Sequence, residues 1–289
     1  MAEPAEISSY GDAARFGAFF GMLAILAIAE IIVPRHRNEI PRLIRWTNNF
    51  GVVIIDALLV RLAFPFAAAG LAIMAQDGGW GLFNIWAAPF WIAFLASFLI
   101  LDFAIYIQHV VFHAVPGLWR LHRMHHADLE FDVSTGLRFH PGEILISFAF
   151  KLAIVLALGP PAATVLLFEI ALNATSMFNH SNIRIPARID RALRWLVVTP
   201  DMHRIHHSVD SAENNANFGF NLPWWDRLLG TYLAKPKGGY RKMKIGLNEF
   251  RSRRDLWLDR MLIQPFRSDS EARPRSGNGK SSESAARED

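Results

Sequence analysis

The chain has 289 residues, enough for one or two soluble domains, yet 52% of it is hydrophobic, 12% is aromatic and its mean hydropathy is +0.20, which argues against a soluble protein. It contains no cysteine, so disulfides and thiolate metal sites are excluded and any metal must be held by His, Asp, Glu or Asn. The formal net charge of +4 comes from clustered arginines and lysines, which read as loops beside anionic lipid; no nucleic-acid partner is expected.

The apolar residues come in runs close to the ~18 that a membrane span requires. The first covers residues 16–33. Its N-terminal flank is acidic and no small-residue cleavage site follows, so it is expected to stay as an anchor. The second, residues 52–75, is interrupted by Arg61 and Pro65, and the third covers residues 83–107. The fourth and fifth, residues 144–158 and 162–177, are parted by Gly159-Pro160-Pro161, which cannot continue a helix. They form either a tight hairpin of spans or a re-entrant pair. Lys151 and Glu169 each lie nine residues from Pro160, so a hairpin sets them at one depth and predicts an ion pair.

Loop charge predicts the orientation. Arg35, Arg37, Arg42 and Arg45 lie between the first two runs, whereas QDGGWG between the second and third has no Lys or Arg. The positive-inside rule then puts the N-terminus outside and the residues from about 178 onward inside. The fold expected is all-α: an integral membrane helical bundle with a cytoplasmic, histidine-rich helical cap. The membrane expected is an inner or plasma membrane.

Histidines gather at that predicted inner edge. His109 and His113 share one helical face at the end of the third run, with Asp102 and Tyr106 on the same stripe. His122, His125 and His126 follow as HxxHH, and His203, His206 and His207 repeat that spacing. Thr199 and Pro200 predict a helix start just before the second copy. His180 follows the fifth run on a face shared with Glu169, Asn173 and Ser176. His140 stands alone in a loop, and His36, among arginines, reads as a surface residue. So many imidazoles exceed the needs of one ion and suit two close together, but imidazole accepts Zn, Cu, Fe and Ni alike. A metal transporter or storage protein wants histidines along a path through several spans; these sit at one edge. A zinc hydrolase needs fewer ligands and a carboxylate base. A bis-histidine haem protein wants single histidines facing each other across spans. The HPGE at His140 resembles a cytochrome b5 haem turn, but its flanks are too short and apolar for that domain.

Three boxes, HxxxH at 109–113 and HxxHH at 122–126 and 203–207, resemble those of the membrane sterol desaturase and fatty acid hydroxylase superfamily. The flanking text LWRLHRMHH, GLRFHPGE, FNHSNIRIP, TPDMHRIHH and NFGFNLPWWDRLLGTY is similar too, and the likeness covers about residues 100–235. The position after His109 is Val110, where the family often has Arg; this alters a surface contact and not ligation.

The resemblance implies a non-haem di-iron centre, with two Fe ions that use O2 as co-substrate and two electrons to hydroxylate or desaturate a C–H bond of a lipid such as a sterol or fatty acyl chain. It implies that the eight box histidines are ligands, with His180 as a ninth. His140, Asp102, Tyr106, Asn179, Asp201 and Glu130 are expected to orient ligand rings through their second nitrogen. With no dinucleotide fingerprint in the chain, electrons are expected from an external reductase or small carrier docking on the basic stretch KPKGGYRKMK. The domains expected are membrane anchor helices over residues 1–80, a hydroxylase-like catalytic domain over 81–240, an interfacial segment over 241–266 and a disordered tail over 267–289.

Overall fold

The structure is a computed structural model and describes residues 4–268; the expected tail lies outside the described residues from position 269 onward. The first part of the chain forms α1 (Pro4–Ile32), α2 (Arg42–Ala63), α3 (Ala68–Asp77), the single-turn α4 (Leu82–Ile85), α5 (Phe90–Ala114), α6 (Pro116–His126), α7 (Pro141–Leu158) and α8 (Ala162–Asn179). Short helices follow: α9 (Ala187–Leu193), α10 (Pro200–His206), α11 (Ser211–Asn214), α12 (Trp224–Leu228) and α13 (Leu258–Ile263). No strand occurs among the described residues, which carry two isolated bridges instead.

Proline sets many of the boundaries. Pro116, Pro141 and Pro200 occupy the first turns of α6, α7 and α10, where the missing N–H has no helical partner to lose. Thr199 caps α10 as expected, accepting from the Met202 amide at 3.3 Å. Pro65 holds Phe64 extended and breaks the second apolar run into α2 and α3. Helices α1 and α2 start well before their apolar runs, because hydropathy marks only the part of a helix that meets lipid.

Five stretches are long and apolar enough to cross a membrane: Gly11–Ile32, Arg42–Ile85, Phe90–Ala114, Pro141–Leu158 and Ala162–Asn179. An 18-residue helix rises about 27 Å, close to the ~30 Å hydrocarbon layer. Phe20 and Ile25 of α1, Leu62 of α2 and Trp91 of α5 remain exposed and form apolar surface suited to lipid. The protein is an integral membrane protein.

Small residues bring the helices together. Ala68 and Ala72 of α3 are fully buried with Leu101, Val155, Val165 and Phe168, so α3 wedges between α7 and α8 at close range. The α7–α8 hairpin turns at Gly159, which is left-handed at φ 61°; a Cβ there would stand 2.3 Å from the Trp80 carbonyl oxygen. The expected pair forms, with Lys151 Nζ 2.5 Å from Glu169 Oε1, and Arg15 of α1 adds a second cation at 2.8 Å from Oε2. At the histidine end, Val52, Met124 and Met261 form a small core that ties α13 to α2 and α6.

Three of the four arginines between the first two apolar runs are not free loop charges. Arg35 pairs with Asp201 and Arg42 with Glu30, each at 2.9 Å. Arg45 lies inside α2, fully buried, and donates to both oxygens of Asp128 at 2.9 and 2.8 Å and to Thr135 Oγ1 at 2.9 Å, with Asp132 against its remaining nitrogen. Burying a guanidinium is costly unless acids match it, and Asp128 and Asp132 do so for Arg45.

Candidate metal centre

Four elements deliver the histidines. Helix α5 ends with His109 and His113, and one residue later α6 turns back with His122, His125 and His126. His180 caps the C-terminus of α8, and α10 carries His203 and His206, with His207 just past its end. The nine converge as two sets: His109, His113, His122, His126 and His206; and His125, His180, His203 and His207. All are buried except His113, which is partly exposed. Each HxxHH box therefore serves both sets. At about 100° per residue, positions three and four on point to opposite sides of the first, so His125 and His126 diverge, as do His206 and His207.

Ring protonation follows from the outer nitrogens. His109 Nδ1 lies 2.7 Å from the Phe218 carbonyl oxygen, His125 Nδ1 3.1 Å from that of Arg138, His180 Nδ1 2.7 Å from that of Ser176 and His206 Nδ1 2.8 Å from that of Ala216. A carbonyl only accepts, so each of these Nδ1 atoms carries the proton and each Nε2 keeps a lone pair. His122 Nδ1 sits 2.7 Å from Glu143 Oε1 in the same way. Those Nε2 atoms nevertheless face one another: His109 to His122 at 3.1 Å, His206 to His109 at 3.0 Å and His180 to His125 at 3.0 Å. Two lone pairs at that distance repel, and a cation between them removes the conflict. The donor set fits metal.

Electrostatics agree with neutral ligands. Burial pushes His122 and His180 down to about 3. Burial and then the neighbouring imidazoles hold His125, His126, His203, His206 and His207 well below the ordinary value.

The residues expected to orient rings bond elsewhere. Asp102 Oδ2 accepts from Trp225 Nε1 at 2.7 Å, and Tyr106 meets Thr231 Oγ1 at 2.9 Å. Asp201 takes Arg35, Glu130 takes the Ile40 amide at 2.8 Å, and Asn179 donates to the Phe220 carbonyl at 3.1 Å. His140 stays outside both sets, accepting from the Gly142 amide at 3.0 Å as the cap of α7 and donating to the Leu262 carbonyl at 3.1 Å. The α5 stripe acts at one remove. Trp225, Asp226 and Thr231 belong to the WDR-x-x-GT segment, and Asp226 accepts from the Phe218 and Gly219 amides at 2.8 and 2.9 Å. That holds the loop whose Phe218 carbonyl fixes His109.

Sequence reasoning missed the ring partners that the fold supplies. Glu143 stands in HPGE, three residues beyond His140, in a first helical turn; that spacing was a signal. Asn214, whose side-chain amide lies 3.0 Å from His126 Nδ1, gave none, and backbone carbonyls never do. Asp56, an acid in an apolar run, was a further signal.

A cavity of about 540 Å³ leads from between the helices to His109 and His122. Phe19, Val60, Ile144 and Leu172 form part of its apolar wall, and Asp56 and Glu143 face it. A separate pocket of about 270 Å³ reaches His113 and Trp119, whose rings lie 4.8 Å apart. It adjoins a pocket lined by Lys237, Lys242 and Lys244 through shared Ser208 and Val209.

Residues 94–231, which hold every one of these histidines, match the fatty acid hydroxylase family. The chain is 27% identical over 227 residues to an ornithine lipid hydroxylase of Rhizobium tropici, covering 76% of this chain and 67% of that one. It is 28% identical over 160 residues to alkylglycerol monooxygenase of Homo sapiens, covering 53% of this chain and 33% of the relative. Against cholesterol 25-hydroxylase of Homo sapiens it is 28% identical over 142 residues, covering 47% and 50%. The chain thus spans a third to a half of the length of the latter two. No solved structure matches it. The boxes, the flanking segments and the family match all fall on one stretch, and together with these relatives they support membership of the fatty acid hydroxylase superfamily.

Proposed function

We propose that the protein is a membrane-bound oxidoreductase that hydroxylates a C–H bond of a lipid with O2: R–H + O2 + 2e⁻ + 2H⁺ gives R–OH + H2O. The observation that carries this reading is the set of Nε2 lone pairs facing one another at 3.0–3.1 Å, beside a largely apolar cavity that ends on His109 and His122. His109, His113, His122, His126 and His206 would hold one ion, and His125, His180, His203 and His207 the other. Bound there, two iron ions supply the activation of O2 by two electrons. Imidazole does not choose among these metals, and the likeness to lipid hydroxylases and a monooxygenase is what favours iron over zinc.

The chain's own residues do the remaining work. The Phe218, Arg138, Ser176 and Ala216 carbonyls and Glu143 keep protons on Nδ1 and lone pairs on Nε2. The cavity walls exclude water from the reacting carbon and present a chain to the His109–His122 edge. The pocket at His113 and Trp119 offers a second approach, and the lysines beside it suit an acidic external electron donor. The histidine end is assigned to the cytoplasm, with the N-terminus outside.

Lipid profiles of cells expressing the wild type and the His203→Ala, His207→Ala variant test this. A lipid gaining one oxygen in the wild type alone is expected, with two irons per purified chain. Loss of two hydrogens would replace hydroxylation by desaturation. An unchanged lipid profile, or a protein active with zinc and without O2, would sink the proposal.

A further inference from the structure

The cavity contains two carboxyl groups that its apolar walls do not explain. Asp56 lies in the middle of α2, only 8% exposed, and its Oδ1 has no hydrogen-bond partner. Glu143, in the first turn of α7, is 5% exposed; it gives Oε1 to His122 and leaves Oε2 without a partner. Helices α2 and α7 pack together, and both acids line the same space, whose inner end is His109 and His122.

Other buried acids are matched. Glu169 has Lys151 and Arg15; Glu30 has Arg42 and two amides; Asp128 and Asp132 share Arg45. Asp102 has Trp225, Asp190 has Arg194 and Asp255 has Arg267. Asp56 is the buried acid for which no hydrogen bond or ion pair is found among the described residues. The remaining cation on the cavity wall, Arg15, is already bound to Glu169. A plain acyl chain filling this space would strip both free oxygens of water and return nothing. A donor on the guest would satisfy them, and one such hydrogen bond to a carboxyl group is worth from a few-fold to about a hundredfold in affinity.

We infer that Asp56 and Glu143 form a recognition site for a hydrogen-bond-donating group of the lipid substrate, a hydroxyl or an ammonium. Because Glu143 also touches His122, a donor seated on its free oxygen lies next to the first histidine set. The carbon attacked is then near the polar end of the lipid and not far along a featureless tail. The oxidation step rests on the oxygenase reading above; the recognition does not.

Binding of three matched amphiphiles separates the outcomes: hexadecylamine, hexadecanol and hexadecyl methyl ether, which has no donor. Ligand-induced thermal stabilisation is measured on the purified protein in detergent, metal-free and iron-loaded, for the wild type, Asp56→Leu and Asp56→Asn. The wild type is expected to bind the amine, the alcohol or both at least tenfold tighter than the ether, and which of them does so identifies the donor. Asp56→Leu, which suits an apolar helix, should erase that preference. Asp56→Asn should keep a preference for alcohol, through its amide oxygen, and weaken one for amine. Equal affinity for all three in the wild type, or a preference surviving in Asp56→Leu, overturns the inference. If the preference is present but no amphiphile is oxidised by iron-loaded protein with electrons and O2, the oxygenase reading fails and the recognition site stands.

Discussion

Arg45 with its acids and the nine histidines are both shut away from solvent at one end of the helices, and they differ in what each lacks. The Arg45 assembly is closed. Arg45, Asp128 and Asp132 are 0% exposed, and Thr135 completes the bonds. Burial alone would raise Asp128, but Arg45 and Arg138 outweigh it and hold the carboxyl below its ordinary value. The histidine assembly is open: its outer nitrogens are mostly held, yet its inner nitrogens oppose lone pair to lone pair. A closed polar core ties α2 to the loop behind the second box, whereas an open one is built for a cation. The same cost of burial is met from within in one case and by a guest in the other.

The largest effect should come from opening the closed assembly. Arg45→Ala leaves Asp128 and Asp132 buried and unpaired and should cost about 3–5 kcal/mol, read by thermal denaturation in detergent. The triple change Arg45→Met, Asp128→Leu, Asp132→Leu should recover most of that loss; if it is as unstable as Arg45→Ala, uncompensated charge is not the cause. Next is emptying the open assembly. A metal held a hundredfold above its dissociation constant contributes about 2.7 kcal/mol, so chelation should lower the melting temperature markedly. In the metal-free protein, His207→Leu should not lower stability further, because it removes an unmatched nitrogen. A metal-free His207→Leu that melts much earlier would mean the ring is structural.

Smaller still is the loss of one orienting group. Glu143→Gln keeps an oxygen acceptor for His122 but replaces the carboxyl group, and should weaken iron retention tenfold to a hundredfold, measured by competition with a chelator. The smallest effect lies outside both assemblies. Burial, then Arg204 and Arg35, push His36 down to about 4 against the pull of Asp201. A histidine lowered in the folded state contributes stability that is complete above its unfolded value of 6.5 and is lost as pH falls toward 4. His36→Asn should therefore flatten the fall of melting temperature across that window and change nothing above pH 7.

The membrane helices were legible because long apolar runs and prolines are local signals. The helix break at Gly159-Pro160-Pro161 and the Lys151–Glu169 pair followed from counting residues, with Arg15 as a partner that counting along one hairpin cannot supply. The histidines were legible as a set because so many in boxes has few other uses. Their neighbours were not. Asp102 and Tyr106 share a helical stripe with His109, but a stripe states only which face a residue takes, and here the stripe meets Trp225 and Thr231. The loop arginines were legible as charge, yet Arg45 sits among acids that come 83 and 87 residues later.

The amino-acid sequence alone thus sufficed for the helical class, the membrane runs and the eight box histidines, which depend on composition, periodicity or fixed spacing along the chain, while the family likeness added His180. The tertiary structure decided how those histidines divide into a set of five and a set of four, which carbonyls fix their protons, and that Asp56 and Glu143 face one cavity. Those facts depend on which atoms of distant segments meet, and a helix dictates only the direction in which its own side chains leave it.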